Sequence, residues 1–255
     1  MSLFDAVIPA GGTIDADFAA RIGSPFRALA PLGPDGTPVL QHVVNTLRAS
    51  GTVGQIVCAA PEAMQSAVSG VDVWLPDSGS GPQNALAGLQ ALRPDALALV
   101  CTSDLPLMTP EAVTRFVSAL TPEAAVAVSL VRADAYTAAY PDAPPSTFVT
   151  LRDAGPVTLA GLFAVCPATL FQKQALLDSL FGVRKSQAQM AGIMGPRLLL
   201  AWATRRLTQA ALITRAETLL GASVQVVDRT DPALAYDMDT LDDYEYAAQH
   251  LWQIT

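Results

Sequence analysis

The sequence predicts an α/β fold in which helices cover a mostly parallel sheet. Three observations carry the prediction. Short apolar runs alternate with amphipathic segments, and strand–helix–strand order of that kind builds parallel sheets. Several runs, such as Ala6-Val7-Ile8 and Leu97-Ala98-Leu99-Val100-Cys101, are apolar at every position, as strands buried on both faces are. Finally, 255 residues that are 51% hydrophobic and 15% charged suffice for a substantial core and do not describe a disordered chain.

The elements follow in order. Phe4–Pro9 reads as a buried strand that meets a Gly-Gly pair, after which the chain turns helix-like. Leu40, Val43, Val44 and Leu47 stand at helical spacing, and Gly51 stops that helix. Gln55–Ala59 is a second strand, Pro61–Val68 a short helix and Val71–Leu75 a third strand. Asn84–Leu92 is helical and Ala96–Thr102 is a fourth strand. Thr109 and Pro110 suit the N-cap and first turn of the next helix, and Ala125–Val131 is a fifth strand. The second half is less regular. Tyr136–Thr147, rich in Pro, Ala and Asp, reads as an excursion or lid. Val157–Val165 is a strand, Phe171–Leu180 a helix, and Val183–Arg206 resists assignment. Val224–Val227 is the last strand and Thr240–Trp252 the last helix. No repeat or linker interrupts the chain, so residues 1–255 are read as one domain.

Composition excludes several classes. A net charge of −8 argues against broad nucleic-acid binding, while a few arginines can still make a local phosphate pocket. Arginine outnumbers lysine heavily; the only lysines are Lys173 and Lys185. No apolar run approaches the roughly 18 residues that a membrane helix needs. No basic region followed by an apolar core opens the chain, so neither a signal peptide nor membrane association is expected. Cys58, Cys101 and Cys166 are odd in number and far apart in apolar stretches. They read as buried reduced thiols of a cytoplasmic protein rather than a disulfide framework or a zinc site.

Four stretches can carry chemistry. In "PAGG", Ala10, Gly11 and Gly12 end the first strand; the glycines let backbone N–H groups approach a phosphate, or simply make a tight turn. In "LPDSGSGPQNALAGL", Gly79, Ser80 and Gly81 precede a helix and could pack on a flat base to which Asn84 hydrogen-bonds, or form a plain turn. In "CTSDLPLMTP", Asp104 directly follows a buried strand, which suits a Mg²⁺ ligand or a solvated loop carboxylate. In "YDMDTLDDYEYAAQHL", Thr240 and Asp243 make a capping box, and Asp242 and Asp243 suit the positive end of the helix. Asp237 and Asp239 just before it are either a second metal ligand or a solvated acidic turn. His42 and His250 lie away from these stretches and read as packing or surface residues.

Taken in this order, the four stretches resemble the nucleotidyltransferase family, which includes molybdenum cofactor guanylyltransferases (MobA-like NTP transferases), methylerythritol-phosphate cytidylyltransferases and sugar-1-phosphate nucleotidyltransferases. The resemblance is best over residues 4–131 and 236–252. It implies a Rossmann-like three-layer sandwich of the nucleotide-diphospho-sugar transferase, glycosyltransferase-A type. The nucleotide-binding part would then be about 1–131 and the acceptor-binding part about 132–255. It implies Mg²⁺-dependent transfer of a nucleoside monophosphate from an NTP to a phosphorylated acceptor, with release of pyrophosphate. Ala10-Gly11-Gly12 matches the family's opening Leu-Ala-Gly-Gly, and Arg21-Ile22-Gly23 its Arg-Met-Gly or Arg-Leu-Gly. Asp104 and Asp239 match the metal-binding positions. Two departures stand out. Eight residues separate Gly12 from Arg21, where the family has few, and Arg27 replaces a lysine that would contact the α-phosphate. Either Arg27 takes that role, or Lys185 in "VRKSQ" supplies it, or activity is reduced; Arg184-Lys185 could instead bind the acceptor phosphate or face solvent. The expected partners are an NTP and a small phosphorylated acceptor, with no nucleic acid and no membrane; a homodimer is left open. Two alternatives share the fold: a nucleotide-sugar-dependent glycosyltransferase, and a nucleotide-binding protein without catalysis.

Overall fold

The protein is described by a computed structural model over residues 3–173 and 195–254. β1 (Phe4–Pro9) is followed by α1 (Ala16–Ile22), the short ribbon of β2 (Pro31–Leu32) and β3 (Thr37–Pro38), and α2 (Val39–Ala49). Then come β4 (Val53–Ala60), β5 (Val73–Pro76), α3 (Gly81–Gln90), β6 (Ala98–Cys101), α4 (Pro110–Ser118), β7 (Val126–Arg132) and α5 (Ala133–Ala139). β8 (Val149–Leu151), β9 (Gly155–Val165), α6 (Pro167–Phe171), α7 (Pro196–Ala203), α8 (Gln209–Leu220), β10 (Val224–Val227) and α9 (Leu241–Ile254) complete the described chain.

The main sheet runs β10-β7-β9-β6-β1-β4-β5, with β8 on β9. β1 pairs in parallel with β4 and β6, β4 with β5, and β7 with β10. β9 runs against β6, β7 and β8. The alternating pleat of β1 accounts for the layers. Ala6 and Ile8 point into one core with Leu40 and Val43 of α2 and Phe116 of α4. Val7 points into a second core with Leu89 of α3. Helices therefore cover both faces, giving the expected α/β sandwich. Gly88 lets α3 lie directly on the sheet, because a Cβ there would overlap Val7 Cγ1.

From β1 the chain winds outward to β4 and β5 and then returns to β6 on the other side of β1. The strand order thus switches between β1 and β6. Crevices that hold ligands open at such points, beyond the carboxyl ends of the strands.

Some expectations are corrected. Pro61–Val68 contains only a single 3₁₀ turn at Glu62–Met64. Met64 and Val68 are both buried at helical spacing, but residues 65–67 form a turn and Gly70 takes a left-handed conformation before β5. The excursion or lid expected at Tyr136–Thr147 starts inside α5, where Tyr136 and Tyr140 are buried among Phe148, Tyr236 and His250, and becomes irregular only beyond Tyr140. The helix expected at Phe171–Leu180 has only its first residues within the described chain, where α6 ends at Phe171. β8 and α8 had no counterpart in the sequence reading. The described helices include none long and apolar enough to cross a membrane.

Candidate functional site

The loop after β1 is shaped by its neighbours. Ala10 is buried and its N–H donates to the Ala59 carbonyl at 2.9 Å, carrying the β1–β4 ladder one residue past the strand. Gly11 then lies against the loop that follows β5. A Cβ on Gly11 would overlap Asp77 Oδ1 and stand 2.8 Å from Asn84 Nδ2, so a side chain there would have to displace the Asp77–Asn84 pair. Asn84 is fully buried. Its Oδ1 accepts from Ser78 N–H at 2.8 Å and Ser78 Oγ–H at 2.6 Å, and its Nδ2 donates to Asp77 Oδ1 at 2.7 Å. Both lone pairs of that oxygen are taken. The residue thus holds the 77–80 turn against Gly11, and only its second Nδ2 hydrogen is left for the expected bond to a base. Gly79 N–H donates to Asp77 Oδ1 at 3.1 Å, and Ser80 Oγ caps α3 by accepting from Gln83 N–H at 3.3 Å. Asp77 was not singled out in the sequence, although like Asp104 it comes at the end of an apolar run.

The eight residues between Gly12 and Arg21 fold as an excursion that closes on itself. Asp15 caps α1 by accepting from Phe18 N–H at 2.9 Å, and Gly23 ends it in a left-handed conformation. Phe18 is buried 5.5 Å from the Tyr244 ring of α9. Thr13 and Phe26 form an antiparallel bridge, and Arg27 N–H donates to the Gly12 carbonyl at 3.4 Å. Arg27 therefore returns to Gly12 as though the excursion were absent. Arg21 does not come with it. Its side chain is 58% exposed and its Nε lies 3.6 Å from Glu245 Oε1 of α9. The structure thus places Arg21 beside α9 rather than with Arg27 over Gly12.

Arg27 joins the two acidic segments. Its Nη2 lies 3.4 Å from Asp104 Oδ2, and its Nη1 pairs with Asp239 Oδ1 and donates to the Met238 carbonyl at 3.3 Å. A backbone bond from Met238 N–H to the Asp104 carbonyl, 3.0 Å, brings the C-terminal segment to the end of β6. The capping box fixes Asp239: Asp243 Oδ2 accepts from Asp239 N–H at 3.1 Å and Thr240 N–H at 2.8 Å. Tyr236, buried in the aromatic cluster, donates its hydroxyl to the Asp243 carbonyl at 2.9 Å.

The electrostatics are those of a cluster rich in negative charge. Protein crowded around the Asp237 carboxyl, together with the charges of Asp104 and Asp239, raises it to about 8 against the opposing pull of Arg27. Although the residue is open to water, the surrounding atoms still replace much of its bulk solvent. Asp104 Oδ1 and Thr102 Oγ1 are buried with no hydrogen-bond partner among the described residues. A buried carboxylate oxygen without a donor is a costly arrangement that a cation relieves. The described residues hold no group of three or more His, Cys, Asp or Glu placed for a metal ion. Mg²⁺ does not need one: it is held by one or two carboxylates, with phosphate oxygens and water completing its shell. Asp104 and Asp239 fit that donor set.

These residues open onto a crevice of about 1470 Å³. Gly11, Gly12, Arg27, Asp104 and Asp239 form its polar end, with Gly79, Ser80 and Gly81 alongside. Leu86, Leu89, Val128 and Phe163 belong to its apolar wall. Lys185 falls outside the described residues. His42 is away from the crevice, its Nε2 3.0 Å from the Met108 carbonyl, and burial lowers its pKa. Cys58 and Cys101 are buried free thiols, as expected, whereas Cys166 is only half-buried.

Comparison with known proteins gives a consistent result. The family model for the MobA-like NTP transferase domain matches residues 6–191. A hypothetical transferase from Thermus thermophilus is 28% identical with a TM-score of 0.82, covering 95% of this chain and 99% of that one. A nucleotidyl transferase from Methanothermobacter thermautotrophicus is 17% identical with a TM-score of 0.60 and full coverage of both chains, 100% of each. A CMP:2-keto-3-deoxy-manno-octonic acid synthetase complexed with CTP is 15% identical with a TM-score of 0.61, also covering 100% of both chains. The last two likenesses concern the fold. The search of curated proteins finds no match.

Proposed function

The chain belongs to the MobA-like NTP transferase domain family and is a nucleotidyltransferase; on that premise we propose that it moves a nucleoside monophosphate from an NTP to a phosphorylated acceptor, with Mg²⁺ and with release of pyrophosphate. The observation that carries this reading is the meeting of Arg27, Asp104 and Asp239 over the Gly11-Gly12 loop, at the switch between β1 and β6.

In this reading the triphosphate lies over Gly11 and Gly12, whose backbone allows close approach. The nucleoside lies along Gly79, Ser80 and Gly81. Arg27 stands over Gly12 and would supply positive charge where the α-phosphate would sit. Asp104 and Asp239 would hold Mg²⁺, which when bound supplies Lewis-acid polarisation and charge neutralisation. An oxygen of the acceptor phosphate attacks the α-phosphorus in line. The bond from that phosphorus to the bridging oxygen breaks, and pyrophosphate leaves with the electron pair. The attacking oxygen is already anionic, so no general base is needed. The protein's contribution is positioning and charge.

Asp104→Ala and Asp239→Ala test these roles. Each should lower Mg²⁺-dependent pyrophosphate release by about 100-fold or more, the scale of losing one electrostatic stabiliser of the transition state. Thermal unfolding of the variants checks that the fold survives. Full turnover in either variant removes that residue from the mechanism. A glycosyltransferase acting on a nucleotide sugar would release nucleoside diphosphate instead. A protein that binds nucleotide without turnover is the second reading, and the pairing of Arg27 with both carboxylates favours keeping it in view. Its signature is NTP binding with no product across many phosphorylated acceptors.

A further inference from the structure

We propose that Arg27 is a latch that couples cation loading to triphosphate binding. Without nucleotide, its guanidinium ties Asp104 to Asp239; a triphosphate draws it onto phosphate oxygens and frees the carboxylates for the divalent cation. The inference rests on the reading of Asp104 and Asp239 as the cation pair.

The geometry supports a latch in three ways. Two nitrogens of one guanidinium engage the two carboxylates, through Nη2 to Asp104 and Nη1 to Asp239. A planar fork can bridge two acids in this way, and a lysine ammonium offers only a single point charge. The same guanidinium lies over the phosphate loop, with Nη2 3.2 Å from the place of a Gly12 Cβ. A phosphate seated on Gly12 would stand within reach of this guanidinium. The backbone of Arg27 is held by its own N–H bond to the Gly12 carbonyl and by the neighbouring Thr13–Phe26 bridge, so the release needs only side-chain rotation. Its donation to the Met238 carbonyl, 3.3 Å, is an exchangeable contact at the edge of the cluster.

Linkage makes the proposal quantitative. If triphosphate and cation each displace the latch, each raises the other's affinity by the same factor. Part of that coupling must vanish when the fork is removed.

The test uses the full chain, with Mn²⁺ as the cation probe read by electron paramagnetic resonance and without nucleotide. Arg27→Gln should bind Mn²⁺ about tenfold or more tightly than the unchanged protein, within the usual range of coupling between linked sites. Arg27→Lys decides whether geometry or charge is responsible. It keeps the positive charge and loses the bridge, and it should also bind Mn²⁺ more tightly than the unchanged protein. A second arm measures metal-free tripolyphosphate binding by calorimetry. Asp239→Asn should tighten it by freeing Arg27, and this gain should shrink in the Arg27→Gln background. Thermal unfolding checks each variant. The latch is overturned if Arg27→Lys gains no Mn²⁺ affinity, even where Arg27→Gln gains it, while Asp104→Asn in the Arg27→Gln background abolishes binding; the cation pair then stands without a latch. If Asp104→Asn leaves Mn²⁺ binding unchanged in that background, the cation pair falls and the latch with it.

Discussion

Gly11 lies so close to Asp77 and Asn84 that a side chain there must displace them, and this sets what the first loop can do. Gly11→Ala would drive a methyl into Asp77 Oδ1 and Asn84 Nδ2. Overpacking of this kind costs about 1–3 kcal/mol, and here it also pushes the 77–80 turn away from the crevice. Urea unfolding should show the loss of stability, and the nucleotide dissociation constant should rise; unchanged values for both would mean that the two loops part freely. At this scale the sequence was only partly legible. Gly11, Gly12, Asp104 and Asp239 stand at the crevice because strand ends and loop order mark such positions locally. The placement of Arg21, the partners of Asn84 and the part played by Asp77 were not legible, because direction and partner decide them and neither is written in spacing. Asn84 looks like a free amide in the sequence, yet its oxygen accepts two hydrogen bonds from Ser78.

The excursion that holds α1 is the element that most changes the account. As sequence it looked like an obstacle between the glycines and Arg27. In the structure its entry and exit are bridged at Thr13 and Phe26, so its length is decoupled from the position of Arg27. What anchors it is the Asp15 cap and the burial of Phe18 against Tyr244. Asp15→Ala should cost about 1 kcal/mol of stability, the usual worth of an N-cap, while leaving the Michaelis constant for nucleotide within about twofold. Thermal unfolding and steady-state kinetics check the two halves. A large rise in the Michaelis constant would show that α1 itself touches substrate. The strands β1, β4, β5, β6 and β7 of the main sheet were legible because each carries a short apolar run between turn residues, whereas the two-residue β2 and β3 carry none. The reversed direction of β9 was not, because its partners β6 and β7 are fixed only by the assembled sheet. β8, three residues long and largely exposed, offers too little apolar pattern to be read.

Across the whole molecule, one sheet brings the carboxyl ends of β1 and β6 together, and the C-terminal segment before α9 closes the site through the Met238–Asp104 backbone bond. The same packing gives the fold a dependence on pH. Burial lowers the pKa of His42 below its ordinary value. In acid the unfolded chain therefore binds a proton that the fold resists, so stability falls as pH drops below about 6.5 towards the lowered value and is constant in this respect above it. Asp237 acts in the opposite sense: its raised pKa favours the fold in acid, and that contribution fades as pH rises from the ordinary carboxylate range through about 8. Comparing unchanged protein with His42→Gln cancels the Asp237 effect. The unchanged protein should lose stability relative to the variant between about pH 7 and pH 5 in urea unfolding. Parallel curves would show that His42 protonates freely in the fold.

The measurement that tests the central claim most directly follows an NTP labelled on its α-phosphate. Each of the four common NTPs is incubated with Mg²⁺, the full chain and a panel of phosphorylated acceptors. The account predicts that label moves to one acceptor class while pyrophosphate appears in equal amount, and that both stop when Asp104 becomes Ala. Release of nucleoside diphosphate, or pyrophosphate formation that survives Asp104→Ala, would contradict it.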